Sequence, residues 1–278
     1  MKLVYFGTPT AAVAPLEALI VAGHEIALVV TQPDRRRGRG KNQVASPVKA
    51  AALAHGLAVA TPERARAILD DDRVHSADLG VVVAFGQILP IALLDAISGG
   101  FVNLHFSKLP RWRGAAPVER AILAGDPETG VCVMGVEEGL DTGAVFACEV
   151  VTIGGDETAG ALQERLTQLG AELLVRTLPR VALIVPEPQV GDTTYADKLT
   201  VEEFELTMDR PASELVRIVR AGNPRPGAWL TIGDARLKVW RAHEAEGRFV
   251  PDEVQPPGKR PMSFAAWQAG HRGPSPFA

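Results

Sequence analysis

The sequence predicts an α/β protein with a mostly parallel sheet, helices on both faces of that sheet, and a smaller β-rich domain after it. Short apolar runs typical of strands alternate with helical patterns through about two thirds of the 278 residues. Such alternation is typical of parallel sheets that are covered on both faces. The composition then changes to a polar stretch rich in Pro and Gly, and strand patterns predominate in the basic region after it.

The individual elements follow from apolar runs and from helix-start and helix-stop residues. The runs predicted as strands of the main sheet are residues 2–6, 25–31, 57–60, 79–85, 100–104, 131–136 and 145–151. The uncharged run 79–85 should be a central strand, buried on both faces. Ser46 and Pro47 predict a helix with an N-cap and a first-turn proline. The other helical patterns are residues 11–22, 63–69, 117–124 and 160–178.

Three segments are predicted from these patterns: a main domain over 1–184, a linker over 185–206, and a second domain over 207–278. In the second domain a helix is expected at 211–221, with strands at 228–232 and 236–240 and a Pro-rich tail.

Composition limits the class of protein. The chain is 46% hydrophobic and 22% charged, which is typical of a folded globular protein and not of a disordered one. The longest uncharged apolar run is too short to cross a bilayer, and no signal-peptide pattern follows Met1, so a cytoplasmic location is expected. Cys132 and Cys148 lie in apolar runs without metal-ligand spacing, and both are expected to be buried free thiols.

Charge is distributed unevenly along the chain. The net charge is −4, but residues 207–278 carry 11 Lys and Arg against 7 Asp and Glu, a net of +4. The preceding residues therefore carry a net of −8. A basic region of this kind suggests a polyanionic partner, although chance variation on a solvated surface would give the same count.

The stretch NLHFSKLPRWRGAAP, residues 103–117, places polar side chains at alternate positions directly after an apolar run. On a strand, Asn103, His105 and Ser107 would share one face. That face is either exposed at an edge of the sheet or built for chemistry. In open α/β sheets the functional crevice lies beyond the carboxyl ends of the strands, where this stretch is predicted to begin.

Nucleotide cofactors are disfavoured at that crevice. The turn after the first predicted strand, Gly7-Thr8-Pro9, has one glycine where a dinucleotide fingerprint needs three, and no Walker lysine follows. We see no Ser or Cys nucleophile with a base and no metal-ligand cluster, so no metal is expected. Direct attack of one substrate on another fits these residues better than a covalent enzyme intermediate does.

A second stretch supplies a carboxylate. In EEGLDTG, residues 137–143, the glycines around Asp141 allow the chain to turn sharply back toward the crevice. The alternative is an ordinary turn with a solvated Asp. Together with Asp141, Asn103 and His105 would form a site with an amide donor for an oxyanion, an imidazole for proton transfer, and a carboxylate to orient it.

These motifs carry a family resemblance. NLHFSKLPRWRGAAP together with GLDTG resembles the folate-dependent formyltransferases, and VVVAFGQILP (81–90) is similar to their pterin-binding strand and loop. TQPDRRRGRGKNQVASPVK (31–49) is similar to the insertion loop of the members that act on methionyl-tRNA, a basic loop that sugar-nucleotide formyltransferases usually lack. GTPTAAVAPLEAL, AGDPETG and QPPGKRPM also match those members. The resemblance covers most of the chain.

The resemblance implies a Rossmann-like catalytic domain and an OB-like C-terminal barrel. It implies transfer of a formyl group from 10-formyltetrahydrofolate to the amine of methionyl-initiator tRNA, a step of translation initiation. Asn103 would stabilise the oxyanion, His105 would shuttle protons, and Asp141 would hold the imidazole. The implied folate-binding residues are Phe85, Gly86, Gln87, Ile88, Leu89, Ser107, Lys108, Leu109 and Pro110. The implied tRNA-binding residues are Arg35, Arg36, Arg37, Arg39 and Lys41.

Two departures from the family pattern keep alternatives open. Lys108 stands where members commonly have Leu. Residues 242–254 are expected to lack the further strands of the family's five-stranded barrel, so the C-terminal domain should be reduced. A reduced domain would suit a formyltransferase that acts on an amino-sugar nucleotide or another small amine. A non-catalytic relative that binds RNA or folate is a further alternative. We expect a monomer.

Overall fold

The structure is a computed structural model that describes residues 1–36, 43–271, 273 and 275–277. Its strands are, in chain order, β1 (Lys2–Gly7), β2 (Glu25–Val30), β3 (Arg35–Arg36), β4 (Gln43–Val44), β5 (Val59–Ala60), β6 (Leu79–Val83), β7 (Phe101–His105), β8 (Arg113–Gly114), β9 (Glu128–Gly135), β10 (Val145–Thr152), β11 (Tyr195–Ala196), β12 (Ala228–Ile232), β13 (Ala235–Ala245), β14 (Arg248–Gln255) and β15 (Met262–Ser263).

Helices follow most of the strands of the first half of the chain. They are α1 (Val13–Val21), α2 (Pro47–Ala54), α3 (Asp72–His75), α4 (Ile91–Leu94), α5 (Pro117–Ala124), α6 (Ala159–Thr177), α7 (Ala212–Gly222) and α8 (Phe264–Gly270). Short 3₁₀ helices lie at Thr10–Ala12, Ala65–Ile68, Leu178–Arg180 and Glu202–Phe204. The predicted N-cap of α2 is confirmed, since the Ser46 hydroxyl accepts a hydrogen bond from the Lys49 amide.

The helix predicted over 63–69 is wrong. Only the 3₁₀ turn Ala65–Ile68 forms there. Its two buried residues, Ala65 and Ile68, are three apart, which matches the three-residue period of a 3₁₀ helix. The Ala65 amide donates to the Gln87 side-chain oxygen at 2.7 Å. A residue outside the segment therefore accepts the hydrogen bond of a backbone N–H in its first turn.

The main sheet has seven strands in the order β10-β9-β7-β6-β1-β2-β5. β1 pairs in parallel with β2 and β6, β6 with β7, and β2 with β5, whereas β9 is antiparallel to β7. The predicted mostly parallel α/β fold is therefore confirmed. β6 is the middle strand of the seven, and its Val81 and Val83 are fully buried, as the uncharged run predicts.

Alternate residues of β1 face two different helical layers. Phe6 belongs to a buried cluster with Leu93 of α4 and Ile68 of a 3₁₀ turn. On the other side, the hydroxyl of buried Tyr5 donates to the Ala12 carbonyl at the start of α1. Burial raises the pKa of Tyr5, so this phenol remains a neutral donor. The sheet is thus covered on both faces.

The described chain divides into two compact units. The first unit comprises Met1–Ala115, Gly130–Val150 and Glu164–Tyr195, and the second comprises Ala116–Thr129, Val151–Gln163 and Ala196–Ala278. The second unit therefore includes two short segments that lie, along the sequence, between parts of the first unit. The domain boundaries expected at residues 184 and 206 stay a prediction.

The second unit contains an antiparallel sheet in the order β12-β13-β14-β15. The expectation that residues 242–254 lack strands is wrong, because β13 continues to Ala245 and β14 begins at Arg248. Glu246 and Gly247 make the turn between them, with φ of 53° and 74°. Positive φ at both central residues is typical of a tight hairpin turn. With four strands, this sheet is still smaller than a five-stranded barrel.

The C-terminal tail packs onto the second unit's sheet. β15 pairs with β14 through Met262 opposite Val254. The Phe277 ring lies 5.8 Å from that of Phe249 and 5.3 Å from that of Phe264, between ring centroids. The tail thus covers the free edge of β14. Among the described helices, none is long and apolar enough to span a membrane.

Cys132 and Cys148 form a disulfide, so the expectation of two free thiols is wrong. The two residues lie on the neighbouring strands β9 and β10, with their Cα atoms 4.0 Å apart. Strand pairing brings together residues that are 16 positions apart in the chain, which composition and spacing alone do not reveal.

Candidate active site

Asn103 and His105 lie at the carboxyl end of β7. This strand runs between β6 and β9, so it is not an edge strand of the sheet. Asn103 pairs with Val82 on one side and Met134 on the other. Asn103 is partly buried and His105 is 5% exposed, so their polar face is inside the protein. Of the two readings of the period-two pattern, the edge-exposed face is excluded.

Asp141 lies in the loop that connects β9 to β10. The Gly135 amide donates to the Ala144 carbonyl at 2.9 Å and closes this loop at its base. Gly143 passes so close that a Cβ there would lie 2.0 Å from the Gly135 oxygen, so only glycine fits. Asp141 itself has a left-handed backbone, with φ of 50°. The loop therefore turns back over the end of the sheet, as its glycines predict.

The structure brings Asn103, His105 and Asp141 into one group, which we call the polar cluster. The Asn103 amide donates to Asp141 Oδ1 at 3.4 Å, and His105 Nδ1 lies 3.6 Å from Asp141 Oδ2. The backbone amide of Gly114 donates to the same Oδ2 at 2.8 Å. The Asp141 side chain is 15% exposed, so the alternative of a solvated Asp in an ordinary turn is wrong.

The hydrogen bonds of His105 assign its tautomer. His105 Nε2 lies 2.9 Å from the Trp112 carbonyl oxygen. A carbonyl oxygen can only accept, so Nε2 carries the proton in the neutral ring and Nδ1 carries the lone pair. Nδ1 faces the Asp141 carboxylate at a distance longer than a hydrogen bond. The arrangement can therefore accept a proton at Nδ1 and stabilise the resulting imidazolium with the carboxylate.

Residues 107–110 of the implied folate-binding set follow β7 directly. Ser107 is fully buried, and its hydroxyl donates to the Arg111 carbonyl at 2.6 Å. Pro110 is buried, Leu109 is partly buried, and Lys108 is exposed. Ser107 thus shapes the turn, while Lys108 and Leu109 present side chains at the surface.

Residues 85–89 of the same set divide between the core and the surface. Phe85 and Leu89 belong to the hydrophobic core, with 2% and 8% exposure. Gln87 donates to the carbonyls of residues 62 and 63 and accepts from the Ala65 amide. Gly86 has φ of 84°, and Ile88 is 84% exposed. A ligand at this loop would therefore meet its backbone and Ile88, whereas Phe85, Gln87 and Leu89 hold the loop in place.

The implied tRNA-binding residues are only partly described. Arg35 and Arg36 form β3, which is antiparallel to β4. The Arg35 side chain is exposed. Arg37, Arg39 and Lys41 lie outside the described residues. Lys49 Nζ pairs with Asp34 Oδ2 at 2.7 Å. Asp34 is the one acidic residue of the stretch 34–41, and this ion pair offsets its charge next to the arginines.

The residues that support the polar cluster were not predicted from the sequence. Trp112 and Gly114 contribute backbone groups, which side-chain patterns do not report. Gln189, 48 residues beyond Asp141, donates to the Asp141 carbonyl at 2.9 Å. The only available signal was an amide side chain in a polar, Pro/Gly-marked stretch, and that signal is too common to assign a role.

The second unit contains a cavity of about 400 Å³ with lining residues of both charges, among them Arg217, Arg220, Asp126 and Asp156. The Arg220 guanidinium donates to the carbonyls of Glu157 and Gly154, and burial lowers the pKa of Arg220. These bonds tie α7 to the loop after β10. A mixed-charge lining does not select one class of ligand, and the cavity contains none of the residues predicted to bind or react.

Two family models match the chain. The model described as formyl transferase covers residues 1–178, and the one described as formyl transferase, C-terminal domain, covers residues 198–251. The first includes the whole polar cluster.

The chain is similar to curated proteins over most of its length. It is 49% identical to the methionyl-tRNA formyltransferase of Roseobacter denitrificans, over 92% of this chain and 85% of that protein. Identity to the enzyme of the same name from Dinoroseobacter shibae is 51%, over 91% and 86%. Identity to that of Thiobacillus denitrificans is 45%, over 97% and 96%.

Solved structures share the fold at low identity. A methionyl-tRNA formyltransferase from Clostridium thermocellum has a TM-score of 0.61 at 17% identity, over 92% of this chain and 98% of that chain. A sugar 3N-formyl transferase, solved in the presence of dTDP and 5-N-formyl-THF, has a TM-score of 0.67 at 18% identity, over 94% and 99%. At these identities the likeness shows the fold alone.

Proposed function

The chain belongs to the formyl transferase family, and we propose that it transfers a formyl group from 10-formyltetrahydrofolate to the α-amine of methionyl-initiator tRNA. The observation that carries this proposal is the identity of 45% to 51%, over more than nine tenths of the chain, to proteins named methionyl-tRNA formyltransferase. The family supports a folate-derived formyl donor. The further identification of that donor as the 10-formyl derivative belongs to the proposal.

The polar cluster would supply the acid–base chemistry. As the methionyl amine attacks the formyl carbon, its nitrogen loses a proton, and His105 Nδ1 is the ring nitrogen with a free lone pair. The Asp141 carboxylate, 3.6 Å away, would stabilise the imidazolium that forms. When the bond from carbon to the folate nitrogen breaks, the same Nδ1 would return the proton to that nitrogen. Protons and electron pairs then balance without a covalent enzyme intermediate.

Asn103 would stabilise the oxyanion that forms on the formyl oxygen. Its side-chain amide has two N–H groups, and one of them donates to Asp141 Oδ1. The second N–H can donate to substrate. Because Asp141 fixes the amide plane, this donor would be preorganised and would not have to reorient during the reaction.

The donor would lie against the loop over 85–89 and the turn over 107–110. The exposed side chains at these positions are Ile88 and Lys108. Lys108 is the residue that departs from the family pattern, and its ammonium could meet an anionic part of the donor. The acceptor would meet the basic segment, which we define as residues 34–41, with five positive charges and one negative. Lys and Arg side chains of this kind bind phosphates without reading sequence.

The amino-sugar alternative is not favoured. Its support was the expected loss of C-terminal strands, and the structure has β13, β14 and β15 in that region. The curated relatives that are 45% to 51% identical to the chain are all named methionyl-tRNA formyltransferase. A non-catalytic relative is also not favoured, because Asn103, His105 and Asp141 lie in contact. The monomeric state and the absence of a metal stay predictions.

One assay tests the proposal directly. The full chain is mixed with 10-formyltetrahydrofolate and either methionyl-initiator tRNA or a dTDP-linked amino sugar, and release of tetrahydrofolate is followed. We expect release with the charged tRNA and none with the sugar nucleotide. Uncharged tRNA is the control, since it lacks the acceptor amine. Release with the sugar nucleotide alone would replace the proposal by the amino-sugar alternative.

A further inference from the structure

Gln189 connects two segments of the first unit through its side-chain amide. Gln189 Nε2 donates to the carbonyl oxygens of Asp141 at 2.9 Å and Gly143 at 2.8 Å. Its Oε1 accepts from Arg113 Nε at 3.0 Å and from Arg113 Nη2 at 2.7 Å. Both amide hydrogens and the amide oxygen are therefore used.

The partners of Gln189 allow only one orientation of the amide. A guanidinium can only donate, and the two carbonyl oxygens can only accept. Rotation of the amide by 180° would place its NH₂ group against Arg113 and its oxygen against the carbonyls of Asp141 and Gly143. Each of the four contacts would then be repulsive. The amide consequently acts as a directional link between Arg113 and the loop that carries Asp141.

Both linked segments hold the polar cluster. On one side, Asp141 has a left-handed backbone, which a non-glycine residue adopts only when neighbouring contacts stabilise it. On the other side, the residues flanking Arg113 contact the cluster: Trp112 accepts from His105 Nε2, and Gly114 donates to Asp141 Oδ2. A change in the distance between these segments would change the distance between His105 and Asp141.

The segment that carries Gln189 is itself anchored on both sides. Glu187 and Val145 exchange two backbone hydrogen bonds, at 2.8 and 2.9 Å. Thr194 accepts from the Arg113 amide at 3.0 Å through its carbonyl, and from the Trp112 amide at 2.9 Å through its hydroxyl. Gln189 therefore acts from a fixed backbone.

We propose that Gln189 is a positioning residue for formyl transfer, acting through Asp141 on His105 without contact to either substrate. This inference rests on the proposed function. It assigns a catalytic contribution to a stretch of sequence predicted as a linker.

The first test is kinetic. Gln189→Met keeps the length of the side chain and removes all four hydrogen bonds, and Gln189→Glu keeps the acceptors for Arg113 but removes both donors. We expect each variant to lower kcat between about tenfold and a hundredfold, with KM for the donor and the acceptor within about twofold of wild type, because only the geometry of the reacting groups changes. A variant with wild-type kcat would overturn the proposal.

A double-mutant cycle separates positioning from general destabilisation. If Gln189 acts through Asp141, Gln189→Met should have little further effect on kcat in an Asp141→Asn background. An equal loss in both backgrounds would overturn the proposal. Gln255→Met is the matched control, since Gln255 also accepts from one side chain (Trp240) and donates to one carbonyl (Lys259). This control should lower the melting temperature without lowering kcat at saturating acceptor.

A readout independent of activity separates this inference from the proposed function. Side-chain ¹⁵N NMR spectra of the histidines report the ring of His105, whose signals are assigned with a His105→Gln variant. Gln189→Met should shift the His105 signals and Gln255→Met should not. Unchanged His105 signals in Gln189→Met would overturn the proposal. If the wild-type chain formylates neither acceptor, the proposed function fails, and the NMR comparison still decides whether Gln189 positions the cluster.

Discussion

The polar cluster of the first unit and the antiparallel sheet of the second differ in how much of their charged and titratable groups is exposed to solvent. His105 is 5% exposed, and both of its ring nitrogens face protein oxygens. In the second unit, by contrast, Arg236 is exposed and stacks over the Trp229 ring at 3.8 Å. Lys238 lies over the Trp240 ring at 5.1 Å. Arg236 thus rests on aromatic surface and keeps its charge in solvent, whereas Lys238 is half-buried and also donates to the Pro226 carbonyl.

The difference follows from the distances over which the two tasks operate. Proton transfer requires reacting atoms within hydrogen-bond reach of each other. Attraction of a polyanion acts over roughly 8 Å at physiological salt, so it depends on net charge more than on side-chain position. Substitutions in the polar cluster should therefore change kcat, and substitutions of exposed cations should change acceptor affinity and its salt dependence.

The largest expected effect comes from His105→Ala and Asp141→Asn. Each should lower kcat between about 10²-fold and 10⁴-fold, the range for loss of a general acid or base. Donor affinity, measured by equilibrium binding, should remain close to that of wild type. His75→Ala is a matched control, because His75 also bonds a backbone carbonyl, that of Leu69, outside the cluster. Wild-type turnover by either cluster variant would remove that residue from the mechanism.

Asn103→Ala should have the next largest effect on kcat. It should raise the activation free energy by roughly 3 kcal/mol, the typical effect of removing one oxyanion donor. The loss should appear in kcat, since the donor is needed only when charge develops on the formyl oxygen. Steady-state kinetics with varied donor and varied acceptor would measure it. A loss confined to KM for the donor would make Asn103 a binding residue and weaken the contrast between the two regions.

The basic segment belongs to the first unit, but its exposed cations should affect acceptor affinity and the salt dependence of that affinity, not kcat. Replacing Arg35, Arg36, Arg37 and Arg39 by Gln should weaken acceptor binding by about 10²-fold and flatten its salt dependence, because fewer phosphates are neutralised. The measurement is tRNA affinity at several salt concentrations. Arg73→Gln, which removes an exposed arginine from another part of the unit, is the control. An unchanged salt slope would indicate that this segment does not bind phosphates.

The smallest expected effect on activity comes from deleting the tail over residues 262–278. The deletion removes β15 and the contacts of Phe277 with Phe249 and Phe264, and each such aromatic contact contributes about 0.5–1.5 kcal/mol to stability. It also exposes the edge of β14, which favours association between chains. We expect a lower melting temperature or oligomers in size-exclusion chromatography, with kcat within about twofold of wild type. An equally stable monomer would show that the tail is dispensable.

Elements and contacts that depend on nearby residues could be predicted from the order of the amino acids. The uncharged run at 79–85 is the middle strand of the sheet, Ser46 caps α2, and the alternation of Asn103 and His105 places both side chains on one face of β7. Side-chain periodicity and helix capping depend on residues only a few positions apart, so both can be predicted from the sequence. The motifs that resemble the folate-dependent formyltransferases were sufficient for the family, which the comparisons confirm.

Features that depend on residues distant in the chain became evident in the folded structure and could not be predicted from the sequence. β14 was not predicted because its eight residues include Pro251 and three charged residues, which interrupt the apolar pattern of a strand. In the folded protein, antiparallel pairing with the long strand β13 stabilises this segment as a strand. The Cys132–Cys148 disulfide arises from two strands lying side by side. The Gln189 amide meets Asp141 because a surface segment crosses the loop after β9. No local pattern encodes these contacts, since each depends on where the folded sheet places a second segment.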